Sequence, residues 1–577
     1  MKKKVGIPKE WLTQFENSGM LESPDYETTI KYFEQFEKTT PFLKIKNIGL
    51  TPEGREIKVI IVAKNQVFVP LEAKKTGKTI VLIQNGIHPG EIEGKDACMI
   101  MLREILITKE KEHLLDNLIL LIIPVLNIDG HERLSAFNRP NQHGPKQMGW
   151  RTNALNLNLN RDYMKAESPE IKAFLKLFYE WTPDFVIDNH STNGADYQYH
   201  VTYGIETKQN MDENLSSWIK EKYLPYLTAN VEKDGFLTAP YIEFKNGSIE
   251  SGIKDWSAPP RLSHGYCAAQ NRICLLVETH SLKPFDNRVF STLSMMTHTL
   301  DFLNSNHAEL ILYNLTAEKI IIKKYINKKQ PFPLILSGTE KSKSFNFKAF
   351  EWKDEQSDIT GSTVRRYTDK PAEIVIPLYN DVEVKKEVRL PFAYFVPQQF
   401  TYIIDTIRNH HIKYFRFRID TTKKVERYRF KNVFFAPYPY EGRQLVKFDC
   451  ELFEDEIFIP KGTIWVPVNQ RQIKIIVNLL EPEAPDSFVN WGFFNAFFER
   501  KEYAEPYVME PYAKMMIEND PKLKEEFIKL LNDDESFRNN PSERLDYFYR
   551  RSPFFDKYEN IYPVYRVMER IEDRVGE

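Results

Sequence analysis

His88 and Glu91, in HPGE, place an imidazole and a carboxylate three residues apart on a turn directly behind the apolar run TIVLI at 79–83. Zinc accepts both donor types, and a turn at the end of a buried strand can bring them to one cation. H-x-x-E alone is a common spelling, so its meaning depends on what other strand ends supply. His190 follows the run DFVID, and Glu278 follows ICLLV at once. Two histidines and one glutamate leave a fourth zinc position for water, the arrangement of a catalytic rather than a structural site. Glu278 is not needed as a ligand and is placed as the general base for that water. The loop 131–163 adds Arg151, Asn160 and Arg161. Guanidinium groups bind carboxylates bidentately, so a substrate with a fixed negative group is expected.

The elements that must hold these residues alternate. TIVLI precedes a helical pattern, EGKDACMIMLREILI, and NLILLIIPVLN at 117–127 is apolar enough for a strand buried on both faces. The helix SPEIKAFLKLFYEW leads into DFVID. This order predicts a mixed, largely parallel α/β sheet sandwiched by helices over 1–308, with ligands at the carboxyl ends of its strands. Those ends offer His88 and Glu91, Asn127 and Asp129, His190, and Glu278. From 309 to 480, EKIIIKKY, KSFNFKAFEW, AEIVIPLY, VRLPFAYFV, FDCELFEDEIFI, TIWVPV and IKIIVNLL read as strands of a mostly antiparallel β-rich accessory domain. The helix QQFTYIIDTIRNHHI interrupts it, and 481–577 reads as a helical C-terminal segment packed on the rest.

Charge narrows the partners. Lys plus Arg (79) and Asp plus Glu (81) nearly cancel, leaving −2, so no global field points to nucleic acid or an anionic membrane. Apolar runs stay short of the roughly 20 residues of a membrane span. The four cysteines, Cys98, Cys267, Cys274 and Cys450, show no C-x-x-C pairing and read as small core residues. The basic start MKKKVGIPKEW has no apolar stretch behind it, so the sequence as it stands predicts a cytoplasmic protein, or a secreted or periplasmic one if a leader was removed. Adjacent histidines on a helix diverge by about 100°, so His410 and His411 are expected to pack rather than share a metal.

HPGE at 88–91, NIDG at 127–130, GWR at 149–151, NLNRD at 158–162, DNHST at 188–192 and LLVETH at 275–280 together resemble the zinc carboxypeptidases of the M14, carboxypeptidase A-like, type. The resemblance covers roughly residues 20–305. It implies one zinc per chain on His88, Glu91 and His190, and Glu278 as the carboxylate that activates the water. It also implies Arg151 for the oxyanion, and Asn160 with Arg161 for the substrate's terminal carboxylate. Members usually carry Asp where Asn158 stands, behind the first zinc histidine; Asn158 can accept a hydrogen bond but supplies no charge. The family's mobile active-site tyrosine has two candidate places here: Tyr266, in SHGYCAAQNR, which stands closer to Glu278 than the family spacing has it, or a position near Ser248, which is not a tyrosine. SGIKDW at 251–256 resembles the segment that follows that tyrosine, which brings Ile253 or Lys254 toward the side-chain pocket and makes an acidic terminal residue a conceivable substrate. EGRQ (441–444), LLEPEAPDSFVNWGFF (479–494) and RKEYAEPYV (500–508) resemble the tails of large bacterial members.

The function expected is hydrolysis of the C-terminal peptide bond of a peptide. Two alternatives stand beside it: a zinc amidase or deacylase acting on small acylated amino acids or cell-wall peptides, and a non-catalytic binding protein on the same scaffold.

Overall fold

The computed structural model describes residues 6–192 and 194–570; Met1–Val5, where the basic start lies, Asn193 and the last seven residues are outside the described residues. Nine strands organise the first half: β1 (Leu43–Leu50), β2 (Glu56–Val62), β3 (Thr79–Gln84), β4 (Leu118–Ile123), β5 (Phe185–Thr192), β6 (Val201–Gly204), β7 (Thr238–Pro240), β8 (Ile253–Lys254) and β9 (Ile273–His280). Eight of them form one sheet in the order β1-β2-β4-β3-β5-β9-β6-β7. The four central strands run parallel, β1 and β2 pair antiparallel with their neighbours, and β6 pairs antiparallel with β9 and parallel with β7. Helices Glu93–Leu106, Pro169–Trp181 and Phe285–Ser305 cover this layer. β3, β4, β5 and β9 are therefore buried at every residue, and β3 and β4 are apolar at nearly all of them.

Register aligns the chemistry. Gln84 of β3 stands opposite Asp188 of β5, and His190 of β5 stands opposite Glu278 of β9. A close approach fixes the helix behind β3: a Cβ on Gly94 would lie 2.3 Å from Asn85 Oδ1 and 2.6 Å from Asn189 Cβ, so only glycine lets this helix start against the sheet.

The later chain is mostly antiparallel. The hairpin Lys343–Ser357 with Ser362–Tyr379 adds β8 in parallel at its edge, where Leu378 meets Ile253. A six-stranded sheet, ordered Phe415–Arg416, Ile464–Pro467, Ala393–Val396, Tyr565–Val567, Thr421–Phe435 and Val446–Ile459, follows. Helices Pro506–Asn519, Pro521–Asp533 and Pro541–Tyr549 lie between its last two contributions in sequence. One apolar core runs from Trp11 through the α/β layer to Val564.

Two expected strands are helices. EKIIIKKY belongs to helix His307–Ile322 and the helical turn Lys323–Asn327 that continues it. Leu310, Ala317, Ile321 and Tyr325 are buried at helical spacing, so packing overrides the β preference of three isoleucines. IKIIVNLL is the helix Ile473–Leu480, enclosed on nearly all sides; a short run that is apolar all round carries no period to distinguish strand from helix. The strand Thr421–Phe435 went unanticipated because its alternation is broken by the charges of TTKKVERYRFK.

A buried ion cluster ties the chain's last described strand to the core. Arg566 Nε donates to Glu481 Oε1 at 3.0 Å, and Tyr428 donates its hydroxyl to the second oxygen at 2.6 Å. Replacing one partner strands the other charge. Arg566→Leu is expected to cost about 3–5 kcal/mol of stability, read as a lowered denaturation midpoint; a midpoint equal to wild type contradicts this role.

Candidate active site

Both histidines point one ring nitrogen at the same carboxylate oxygen. His88 Nδ1 lies 3.1 Å and His190 Nδ1 3.0 Å from Glu91 Oε2. The turn after β3 brings His88 and Glu91 to this place, and β5 brings His190. The far nitrogens are also engaged: His88 Nε2 donates to Asn158 Oδ1 at 3.0 Å, and His190 Nε2 donates to Asp188 Oδ2 at 2.9 Å. Asn158 Oδ1 accepts the Asn160 backbone N–H as well, which fixes the oxygen toward the ring. With the far nitrogens as donors, each imidazole in its neutral form turns the lone pair of Nδ1 toward Glu91.

This geometry calls for positive charge. Two lone pairs and an anionic oxygen about 3 Å apart repel unless a proton or a cation lies among them. Ligand atoms of the three residues lie within 4.8 Å of one another, and all three residues are buried. Tetrahedral zinc at about 2.1 Å from each donor needs separations of about 3.4 Å, so the donor set fits zinc. Burial pulls His190 down, but Asp188 and Glu91 outweigh it and hold the ring well above its ordinary value. His88 is pushed down to about 4, by burial against the pull of Glu91. Burial opposes ionisation of Glu91, yet the charges of His88 and Arg139 hold it well below the usual carboxylate range.

Arginines close the other side. Arg139 Nη2 donates to Glu91 Oε1 at 2.8 Å and Arg151 Nη1 to the same oxygen at 3.2 Å. Glu278 lines the same cavity of about 340 Å³ with His88, Glu91, His190, Arg151, Asn160 and Arg161. Burial, reinforced by Glu91 and Asp188 against the pull of His190, pushes Glu278 up to about 8; a bound divalent cation acts the opposite way, favouring the carboxylate. Asn160 Oδ1 accepts the Ser263 backbone N–H at 3.1 Å. Arg161 donates Nη1 to the Asn160 carbonyl at 2.7 Å and Nε to the Tyr440 hydroxyl at 2.9 Å.

Residues 29–262 match the zinc carboxypeptidase family. That segment is similar to the M14 zinc carboxypeptidases. The chain is an α/β metallopeptidase with a long additional C-terminal region. Carboxypeptidase 2 of Trichophyton rubrum is 21% identical over 482 residues, covering 81% of this chain and 83% of that protein. The "Inactive metallocarboxypeptidase ECM14" of Saccharomyces cerevisiae is 33% identical over 136 residues, 22% of this chain and 30% of that protein. Among solved structures, the carboxypeptidase A of Helicoverpa armigera is 17% identical, with 51% of this chain and 74% of that chain covered and a TM-score of 0.37.

Several expected residues lie elsewhere. Tyr266 is fully buried on the helix Ser263–Ala269; its hydroxyl lies 2.8 Å from His410 Nδ1 and 3.1 Å from the Tyr179 hydroxyl, and its ring packs against Tyr163 and Phe178. It is a core residue and does not line the cavity; the tyrosine on the cavity wall is Tyr241, just after β7. The apolar helix pattern around Tyr266 was its signal for core, whereas Tyr241 stands in an irregular segment with no motif to mark it. Ile253 is buried beneath the hairpin, while Lys254 lines the cavity. Asp129 turns away and accepts from Thr51, the Glu53 backbone and Arg55, and Asn127 caps the next helical turn at Gly130. His410 spans Tyr266 and the Met164 carbonyl, and His411 stacks on Tyr179, so the pair shares no site. Arg139 was missed because NRPNQ carries no recognisable spacing, and only its burial against Glu91 reveals it.

Removing the acceptor behind His88 tests that orientation. Asn158→Ala is expected to weaken zinc binding about 10- to 100-fold in competition with a chelator. Unchanged affinity means that Asn158 does not orient the ring.

Proposed function

We propose that the protein is a zinc-dependent carboxypeptidase that hydrolyses the last peptide bond of chains ending in a free carboxylate. The observation that carries this reading is the meeting of two imidazole lone pairs and a carboxylate in a cavity that Glu278, Arg151 and Arg161 also line. His88, Glu91 and His190 would hold the zinc. When bound, zinc supplies Lewis acidity that lowers the pKa of a water and polarises the scissile carbonyl.

The chain's own groups do the rest. Glu278 takes the proton of the attacking water on a carboxylate oxygen and returns it to the leaving amine. Arg151 faces the oxygen on which negative charge develops. Arg161 and the Asn160 amide hold the terminal carboxylate, which sets the scissile bond beside Glu278. Tyr241 keeps its proton because burial, with Glu278 nearby, disfavours the phenolate, and so offers a further donor to substrate oxygen. "Inactive" is said of the yeast relative; the base and both arginines in this chain support catalysis here.

Glu278→Gln is expected to retain about one zinc per chain and to lose roughly 100- to 10 000-fold in the release of C-terminal amino acids. Full turnover in that variant removes Glu278 as the base. Amidating a peptide's C-terminus is expected to cost the wild type on the order of 2–5 kcal/mol in kcat/KM, and to cost Arg161→Ala much less. An enzyme that cleaves acid and amide equally is instead an amidase or deacylase that does not read the carboxylate.

A further inference from the structure

Arg161 is positioned from outside the segment that carries the zinc donors. The strands Thr421–Phe435 and Val446–Ile459 form a long hairpin, and its tip ends in the two-residue turn Tyr440–Arg443, closed by Tyr440 N–H to Arg443 O at 2.8 Å and Arg443 N–H to Tyr440 O at 3.0 Å. Both middle residues are left-handed, Glu441 at φ 49° and Gly442 at φ 72°. Glycine takes this conformation freely, but a glutamate costs about 1 kcal/mol or more there, so its side chain needs a compensating contact.

Glu441 has one: its Oε2 accepts the Asn158 backbone N–H at 2.8 Å, and Asn158 is the residue that accepts from His88. Next to it, the Tyr440 hydroxyl accepts Arg161 Nε–H, while Arg161 Nη1 is spent on the Asn160 carbonyl. These two bonds fix the plane of the guanidinium, and Nη2 is left without a hydrogen-bond partner among the described residues. The turn is itself anchored. Tyr440 stacks on the buried Trp491 at 5.9 Å and 11°, Arg443 pairs with Glu167, and Arg261 joins Asp486 at 2.8 Å below Trp491.

We propose that the turn Tyr440–Arg443 is a working part of the active site, with Tyr440 as the positioning residue that aims Arg161 at the substrate's terminal carboxylate and Glu441 as the residue that holds the Asn158–Arg161 loop in register. The C-terminal region thus contributes to carboxylate recognition as well as to packing. This rests on the carboxypeptidase reading.

The test compares the full-length zinc enzyme with Tyr440→Phe, which keeps the ring on Trp491 and removes only the hydroxyl. For a peptide with a free C-terminus, KM is expected to rise on the order of ten-fold with kcat changed less than two-fold. Hydrolysis of the same peptide as its amide is expected to stay at the wild-type level, as are zinc content and Tm. Glu441→Gln, which keeps length and loses charge, is expected to raise KM in the same direction. A KM for the free acid equal to wild type in Tyr440→Phe overturns the proposal while leaving the carboxypeptidase reading intact. Absence of C-terminal release by the wild type overturns both. An equal loss on acid and amide, or a lowered Tm, assigns Tyr440 a structural role and also overturns it.

Discussion

Nδ1 of His88 and Nδ1 of His190 each lie about 3 Å from one oxygen of Glu91 in a buried place, and keeping three such donors together is the constraint on which the rest of the structure depends. Groups of this kind stay together only if positive charge is supplied and if the scaffold prevents them from turning away. Asp188 and Asn158 lock the two rings from behind, Arg139 and Arg151 hold the outer oxygen of Glu91, and the parallel strands set the spacing. The site is thus assembled from three elements distant in sequence.

The same logic extends outward. The loop from Arg151 to Arg161 carries the polar groups that face a substrate, and such a loop needs support to keep its guanidinium groups in place. Asn153 supplies part of it, accepting the Leu155 and Leu157 backbone N–H groups while donating to Glu170. The hairpin tip at Tyr440–Arg443 supplies another part from the C-terminal region. The apolar core that is continuous from Trp11 to Val564 lets that tip act on the loop as a rigid neighbour rather than as a tethered module.

What was legible in the sequence follows from where information is local. HPGE, DNHST and LLVETH sit at the ends of short, strongly apolar runs, so strand, turn and donor could be read together, and His88, Glu91 and His190 do lie together. The alternation of strands and helices likewise gave the layered sheet. Residues in irregular segments were not legible: Tyr241 reaches the cavity, and Arg139 reaches Glu91 behind it, through tertiary placement alone. Tyr266 misled because its match came from a motif order, while its surroundings, an apolar helix, said core. EKIIIKKY and IKIIVNLL misled for a related reason, since burial on one face or on all faces decides between strand and helix, and burial is set by distant chain. The EGRQ turn was visible as a resemblance, but its contact with Arg161 and Asn158 exists only in three dimensions.

X-ray absorption at the zinc edge of the purified full-length protein tests the central claim most directly. The account predicts about one zinc per chain with nitrogen and oxygen donors only, two of them imidazole, at about 2.0–2.2 Å, and with one position open to solvent. Loss of one of the two imidazole contributions in His190→Ala belongs to the same prediction. Sulfur donors, or no bound metal after zinc is supplied, would contradict it.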